Sequence, residues 1–324
     1  MVINIQDDIL KISSLGLLGK ILQDKTTKKN IMWATDAYAE LGREYSRDEE
    51  IREELISGIN VSVIKTRARK AMEAQAERTK AHAEVFTPLW VCNMMNNHID
   101  EVWFGRKDVF NMYGHPGVKE NDPEERFIVE PTEHIEFNNA EDWKRYVDSR
   151  RLEITCGEAP YLVSRYDVES GEYIPVPKRI GILDRKLRVV NENAVDEEEW
   201  LVWAKRAFQA TYGYEFQGDN LLIARVNLLM TYDDYLRERW KRKPTKMELS
   251  KMITVIDWNI WQMDGLTGTI PYSRAQEQYR QMTVFDMHGD GIKTEPENRQ
   301  PLCRIYDWRG DNSLEFVKLQ RSEE

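Results

Sequence analysis

The sequence lacks any uninterrupted apolar run that approaches the roughly 20 residues needed to cross a bilayer as a helix, which argues against a membrane-spanning protein. Asp7 and Asp8 precede the first apolar stretch and no cleavage pattern follows, so we expect no secretory signal and predict a cytoplasmic protein. Cysteine is also scarce. Cys92, Cys156 and Cys303 are too far apart for a disulfide framework or a metal-site spacing, and we predict no metal site.

Positive charge is in deficit as well, since 46 Lys and Arg against 56 Asp and Glu give a formal net charge of -10. A general nucleic-acid coat protein draws on clustered cations, so this balance argues against that class. Two stretches depart from the average: residues 65–70, extended by Arg78 and Lys80, and residues 237–251, where seven Lys or Arg accompany two Glu. Each stretch is typical either of a solvated helix face or of a track for DNA.

The first part of the chain is predicted to be a small helical module that covers residues 1–82. Apolar side chains between residues 5 and 22 follow a single helical stripe. The pattern at 46–49 matches a capping box and predicts a helix over 48–57, and residues 67–83 contain helix formers with few breakers. A chain of 324 residues has room for this module beside one large domain over residues 83–324.

A change of pattern at Thr87-Pro88 predicts the start of another helix, because Thr is a good N-cap and Pro is well tolerated at the first helical position.

Downstream, residues 152–155 are predicted to form a first core strand, and a turn of small residues, 156–159, follows it. Small residues let the backbone approach a ligand closely, and a helix that follows can direct its N-terminal amides toward that ligand. Ala159 and Pro160 leave this turn less backbone freedom.

Two more strands of this kind are predicted. Residues 212–216 form the second, and Glu215 at its tip has the carboxylate that a ribose needs as an acceptor for both hydroxyl groups. Residues 253–256 form the third, followed by a polar and aromatic segment at 259–264. As a lone residue at a strand end, Glu215 also fits a surface position.

The remaining segments suggest additions to this sheet. Residues 165–195 contain a turn at 167–171 and strand-like alternation, which we interpret as an inserted edge hairpin. Asp196 then predicts the cap of a helix over 197–210. Close to the end of the sequence, residues 301–308 and 313–319 are predicted to form a β-hairpin.

In their order along the chain, the segments 84–88, 151–162, 212–216 and 257–264 resemble the motif series of adenine-specific DNA methyltransferases, the modification enzymes of bacterial restriction systems. The resemblance implies an α/β fold of the Rossmann-like methyltransferase type, with helices on both faces of the sheet. It also implies S-adenosylmethionine as the cofactor. DNA and a restriction or specificity subunit are the partners that it suggests.

The resemblance further implies roles for individual residues. In the family, the segment that contains Phe86 and Thr87 packs over the methionine end of the cofactor, the acid at Glu215 binds the ribose, and a polar side chain at Asp264 accepts from the adenine amine. The complete set of cofactor-binding candidates is Phe86, Thr87, Pro88, Glu153, Thr155, Cys156, Gly157, Glu215, Phe216, Asn259 and Asp264.

The family's catalytic tetrapeptide is missing from the chain. It would hold Asn, Asp or Ser, then two prolines and an aromatic residue, whereas the nearest sequence is Thr269-Ile270-Pro271-Tyr272. The resemblance makes Thr269, Pro271 and Tyr272 the catalytic candidates, with Thr269 accepting a hydrogen bond from the target amine and Tyr272 stacking on a flipped base. Three functions stay open: a DNA adenine methyltransferase-like protein, a catalytically silent binding protein that senses the cofactor or docks on DNA or a partner, and a structural module that binds neither ligand.

Overall fold

The computed structural model describes residues 2–73, 87–113, 128–129, 134–272 and 301–320, which form a mixed α/β structure. The α-helices, numbered in chain order, are α1 (Ile5–Ser14), α2 (Leu18–Ile21), α3 (Glu53–Ile56), α4 (Arg67–Glu73), α5 (Leu89–Phe104), α6 (Asp142–Val147), α7 (Ile182–Asn193), α8 (Glu197–Gln209), α9 (Gly218–Trp240), α10 (Lys246–Asn259) and α11 (Phe316–Gln320). The strands are β1 (Met112–Tyr113), β2 (Ile128–Val129), β3 (Arg151–Glu153), β4 (Thr211–Glu215), β5 (Ile260–Gln262), β6 (Arg304–Asp307) and β7 (Asn312–Glu315).

The central sheet has the order β3-β4-β5 with all three strands parallel, and its first two strands lie where the sequence predicts them. Leu152 pairs with Tyr212, and Tyr214 pairs with Trp261. All five residues of β4 are buried because this strand is central. The carboxyl ends of the three strands therefore lie side by side, and we call this side of the sheet the carboxyl edge.

The third strand begins later in the chain than predicted, because residues 253–256 belong to α10. A capping box starts that helix: the Thr245 side chain accepts a hydrogen bond from the Glu248 amide, and the Glu248 carboxylate accepts one from the Thr245 amide. Helical hydrogen bonding then continues to Asn259, and the β-branched run is buried as part of a helix. The predicted strand at 253–256 was therefore wrong, and β5 takes its place.

Side-chain alternation divides the sheet into two different faces. Gly213 and Ile260 face the main hydrophobic core, where α8, α9 and α10 contact the strands. Tyr212, Tyr214 and Trp261 face a second cluster, which includes residues of β6 and α11. In the described part of the chain, helices thus cover one face, and the predicted C-terminal hairpin, now seen as β6 and β7, covers the other together with α11.

Several helix predictions are confirmed. The Asp196 side chain caps α8 by accepting a hydrogen bond from the Glu199 amide at 2.8 Å. Helix α5 begins at Leu89 with Pro88 at the N-cap position, one residue after the predicted cap, Thr87.

The prediction for residues 182–193 was wrong. These residues, predicted as strand-like, form α7, since Leu183, Leu187 and Val190 make a buried stripe at helical spacing.

The N-terminal region is less helical than predicted. Helix α1 stops before Gly16, whose φ of 63° is left-handed, so the apolar stripe continues only after a break. The helix expected over 48–57 is restricted to α3. The preceding residues pair instead with an extended segment, since the Trp33 amide donates to Glu49 and the Ile51 amide donates to Ile31.

This N-terminal region shares one hydrophobic core with the α/β part. The fully buried Gln262 side chain accepts from the Met32 amide at 2.7 Å and donates to the Met32 carbonyl at 2.9 Å. Arg225 of α9 donates to the carbonyls of Ile21 and Gln23. These side chains satisfy backbone groups that would otherwise be buried without partners. None of the helices in the described ranges combines the length and the apolar character needed to cross a bilayer.

A buried ionic cluster joins the N-terminal region to α9 and α10. Asp257 lies 3.3 Å from Lys25 and 3.7 Å from Arg225, measured between charged atoms, and its carboxylate is shielded from solvent. Burial raises the pKa of Asp257 to about 6, although the charges of Arg225 and Lys25 oppose the shift. The folded state therefore binds a proton at Asp257 more tightly than the unfolded chain does.

This shift predicts a pH-dependent stability difference between the wild type and Asp257→Asn. The stabilisation from protonated Asp257 is complete below about pH 4 and is lost as pH rises through about 6, a change on the order of 2–3 kcal/mol. Urea unfolding at pH 4 and pH 7 measures it, with exposed Asp48→Asn as the control. A wild-type advantage over Asp257→Asn that stays constant or grows with pH would contradict the prediction.

Candidate functional site at the carboxyl edge

The carboxyl edge brings together residues from three of the predicted motif segments. The Gly157 amide, in the turn after β3, donates a hydrogen bond to Glu215 Oε2 at 2.7 Å. The Glu215 carbonyl accepts one from the Met263 amide at 3.0 Å, directly after β5. The turn, the tip of β4 and the segment that leads to Asp264 are therefore neighbours.

The turn at 155–159 has an unusual backbone. Thr155, Gly157 and Ala159 have φ values of 48°, 57° and 66°, all in the left-handed region. That conformation is strained for the β-branched Thr155, whose side chain is exposed, and suits Gly157. Hydrogen bonds hold the turn, including one from the Cys156 amide to the Tyr214 carbonyl at 2.8 Å. Strain of this kind persists only where the surrounding structure enforces it.

The expectation of a helix directly after this turn was wrong. The chain continues through further turns, and α7 begins only at Ile182. A ligand at the turn would therefore meet individual backbone amides such as that of Gly157, which already contacts Glu215, and not the N-terminal amides of a helix that follows it.

Glu215 is buried with both carboxylate oxygens engaged. Oε2 accepts from the Gly157 amide, and Oε1 accepts from the Gln217 amide at 3.1 Å. Burial raises the pKa of Glu215, while these two amides and the charge of Arg67 oppose the increase. Each carboxylate oxygen has more than one acceptor direction, so Glu215 can accept further hydrogen bonds from a ligand.

Glu153 ends β3 close to Glu215. Burial raises the pKa of Glu153 well above the ordinary value, and the negative charge of Glu215 raises it further. Hydrogen bonds from the backbone amides of Tyr161 and Leu162 oppose this increase. The residue as a whole is half-buried, but its Oε2 atom is inaccessible and has no hydrogen-bond partner among the described residues. Such an atom marks either a protonated carboxyl or a position where a donor belongs.

The segment at Thr87-Pro88 also lies near this turn. Burial raises the pKa of Tyr161, which Thr87 lowers, and the buried Cys92 thiol, one turn into α5, donates to the Thr87 carbonyl at 3.9 Å. Burial raises the pKa of Cys92, and nearby Glu153 raises it further. Phe86, the other candidate of this segment, lies outside the described residues.

Asp264 and Thr269 face each other across a tight turn. The Asp264 amide donates to the Thr269 carbonyl at 2.9 Å, and Asp264 Oδ1 accepts from the Leu266 amide at 2.8 Å. Thr269 also forms a β-bridge with Leu302, and its hydroxyl lies 2.8 Å from the Thr267 hydroxyl. No strand separates Asp264 from Thr269.

The aromatic candidates lie together at this edge. The rings of Phe216 and Tyr272 meet edge to face with centroids 5.9 Å apart, and the Arg47 guanidinium lies 5.4 Å from the Tyr272 ring centre. Pro271 is buried beside them, whereas Tyr272 is 39% exposed and has a φ of 51°. An exposed ring between an aromatic residue and a cation provides a surface for stacking.

Asn259 lies at the opposite end of the sheet. Because β5 begins at Ile260, Asn259 precedes the strand and does not follow it. Its amide donates to the carbonyls of Phe208 and Thr211 and accepts from the Trp308 indole at 2.7 Å. The structure therefore separates Asn259 from the other cofactor-binding candidates and gives it contacts between α8, β4 and the C-terminal hairpin.

Charged residues that the motif comparison did not select complete the carboxyl edge. Lys70 of α4 forms an ion pair with the buried Asp219, which also accepts from the Tyr38 hydroxyl at 2.7 Å. Burial alone would raise the pKa of Asp219, but Lys70 and the hydrogen bonds from Lys70 and Tyr38 lower it below the ordinary value. Arg67, one turn before Lys70, lies over Gly157. The basic stretch at 65–70 was the sequence signal for these contacts.

The second basic stretch, at 237–251, is far from this edge. Helix α9 begins at the carboxyl edge and has 23 residues, so its other end is about 34 Å away along its axis. Arg237 pairs with Asp233, and Arg242 pairs with Glu197 and Glu248. These ion pairs hold parts of the fold together and reduce the free positive charge of the stretch.

Comparison of the chain with models of protein families, with characterised protein sequences and with solved structures gives no match. Among the described residues, no group of three or more His, Cys, Asp or Glu side chains is arranged to hold a metal ion.

Because the Met32 backbone packs against Gly218 at this edge, we expect Gly218→Ala to destabilise the folded protein. A Cβ on Gly218 would lie 1.9 Å from the Met32 carbonyl oxygen, a backbone atom that is itself bonded to Gln262. We expect a loss of about 1–3 kcal/mol in the free energy of unfolding, measured with urea. Gly19→Ala is the control, because its Cβ would meet only a flexible carboxylate at 3.4 Å and should leave stability unchanged or raised. Equal stability of the two variants would show that the Met32 segment does not pack there.

Proposed function

We propose that this chain binds S-adenosylmethionine at the carboxyl edge, as a DNA adenine methyltransferase-like protein of a restriction-modification system. The observation that supports it most directly is the 2.7 Å contact between the Gly157 amide and the Glu215 carboxylate. Two segments selected by resemblance, 58 residues apart in the chain, meet at the ends of adjacent parallel strands. In α/β sheets, nucleotide ligands bind at this end of the strands.

Each motif segment would make a different contact with the cofactor. Glu215 would accept hydrogen bonds from the ribose hydroxyl groups, and a carboxylate oxygen of Asp264 would accept one from the adenine amine. Phe216 offers an apolar ring beside them. When bound, the cofactor would supply an electrophilic methyl group, and the residues of this chain would bind and orient it.

For methyl transfer, the chain would have to hold a flipped adenine against the cofactor. Tyr272 has the exposed ring that stacking on the base requires, and Thr269 has the hydroxyl that would accept a hydrogen bond from the target amine. DNA and a restriction or specificity subunit are the partners in this proposal, and the cytoplasm is the location.

A second candidate function is a catalytically silent binding protein with the same cofactor site. It is favoured by the position of Thr269, whose backbone is bridged to both Asp264 and Leu302 and whose hydroxyl is engaged with Thr267. A residue held in this way is a poorer acceptor than the side chain of the family's tetrapeptide. Such a protein would sense the cofactor or present a surface to DNA or to a partner subunit.

Calorimetric titration with S-adenosylmethionine tests cofactor binding. We expect Glu215→Gln to weaken binding by about tenfold or more, because the amide is a poorer acceptor for two hydroxyl groups than the carboxylate. Glu198→Gln, an exposed position in the first turn of α8, is the matched control and should bind like the wild type. If the wild type gives no heat at millimolar cofactor, the proposed function is wrong in both of its forms.

Transfer of labelled methyl groups to DNA of mixed sequence separates the two candidate functions. An active enzyme should lose about 5- to 150-fold in rate in Tyr272→Ala, because base stacking is worth roughly 1–3 kcal/mol per base. It should also lose rate in Thr269→Ala. Binding of the cofactor without any transfer would favour the silent protein. Full activity in both variants would show that the catalytic site lies elsewhere.

A further inference from the structure

We infer that Arg67 binds the carboxylate of the amino-acid part of S-adenosylmethionine, so that the N-terminal region contributes a side chain to the cofactor site. The inference deepens the proposed function and rests on it. Arg67 belongs to none of the motif segments that carry the resemblance, and its assignment comes from its position over the turn after β3.

The guanidinium of Arg67 covers the one residue of this turn that has no side chain. A Cβ built on Gly157 would lie 3.4 Å from Arg67 Nη2 and 3.5 Å from Nη1. The same glycine directs its amide to Glu215. A ligand that approaches the Gly157 backbone and the Glu215 carboxylate would therefore meet this guanidinium.

The Arg67 guanidinium lies near two buried carboxylates, and its positive charge opposes the increase in the pKa of both Glu158 and Glu215. The head group forms no ion pair with a described residue, and its Nε atom is buried without a hydrogen-bond partner. Glu215 is close enough for the Arg67 charge to oppose the increase in its pKa, but not close enough to pair with it. Buried donors without partners are costly, and a guanidinium fork matches a carboxylate through two parallel hydrogen bonds.

Glu158 fixes the backbone of Arg67 at the start of α4, and its carboxylate also interacts with the charge of the Arg67 head group. Glu158 Oε1 accepts from the backbone amide of Arg67 at 2.6 Å, where α4 begins, and Oε2 accepts from the Tyr166 hydroxyl at 2.6 Å. One turn later, Lys70 pairs with Asp219. Helix α4 is thus attached to the carboxyl edge at two points, which fixes the backbone from which the Arg67 side chain extends.

The combination of charges suits an amino acid joined to a nucleoside. Glu215 offers an acceptor for ribose hydroxyl groups, whereas Arg67 offers donors and a positive charge for an anion. Both contact Gly157, since Glu215 is bonded to its amide and Arg67 lies where its Cβ would be. Of the charged groups of S-adenosylmethionine, only the carboxylate is negative and complements Arg67.

Binding of S-adenosylmethionine and of its decarboxylated form to the wild type, Arg67→Ala and Arg67→Lys tests the assignment by calorimetry. We expect the wild type to prefer the carboxylated compound by about tenfold or more. Arg67→Ala should lose a similar factor for that compound and bind both compounds with nearly equal affinity. Arg67→Lys should keep part of the preference, because an ammonium group retains the charge but not the fork.

Arg69→Ala is the matched control, since Arg69 lies on the same helix, is exposed and donates a hydrogen bond to the Gln6 side chain. It should bind both compounds like the wild type, and unfolding curves establish that each variant is folded. Unchanged or tighter binding of S-adenosylmethionine by Arg67→Ala would overturn the role of Arg67 and leave the proposed function standing. Failure of the wild type to bind either compound would overturn both.

Discussion

The parallel pairing of β3 with β4, extended by the hydrogen bond from the Gly157 amide to Glu215, is the constraint on which the candidate site depends. It fixes the turn after β3 in a left-handed conformation and buries a carboxylate against it. Burial of that carboxylate is tolerated because two backbone amides bond to it. The pKa of the neighbouring Glu153 is raised further by burial and by the negative charge of Glu215, and its Oε2 atom has no partner among the described residues.

Contacts from the N-terminal region give this edge much of its chemistry. Without α4, the edge would present mainly the carboxylates of Glu153, Glu215 and Asp219, which would favour cations and repel an anionic ligand. With α4 in place, Arg67 and Lys70 bring positive charge between them. Glu158 attaches the helix through the Arg67 amide. An acidic residue of the turn thus keeps Arg67 near the other carboxylates of the edge.

The first two strands of the sheet, the helix over 197–209 and the C-terminal hairpin could be predicted from the sequence because each has a local signal, such as the Asp196 cap. The third strand could not, since the β-branched residues at 253–256 are equally compatible with a buried helix and only the Thr245 capping box decides between them. That error also placed Asn259 at the wrong end of the sheet. The position of Arg67 depends on Glu158, 91 residues away, and no local pattern encodes such a contact.

The hydrogen bonds of Gln262 and Arg225 have a consequence for how the chain can be divided. Both side chains are buried in the α/β part, yet they find acceptors or donors in the backbone of Ile21, Gln23 and Met32. A fragment cut between residues 82 and 83 would leave a guanidinium and an amide facing a dry interior with fewer partners. Any relative that has this sheet with both side chains should therefore also retain the N-terminal segment whose backbone forms hydrogen bonds with them.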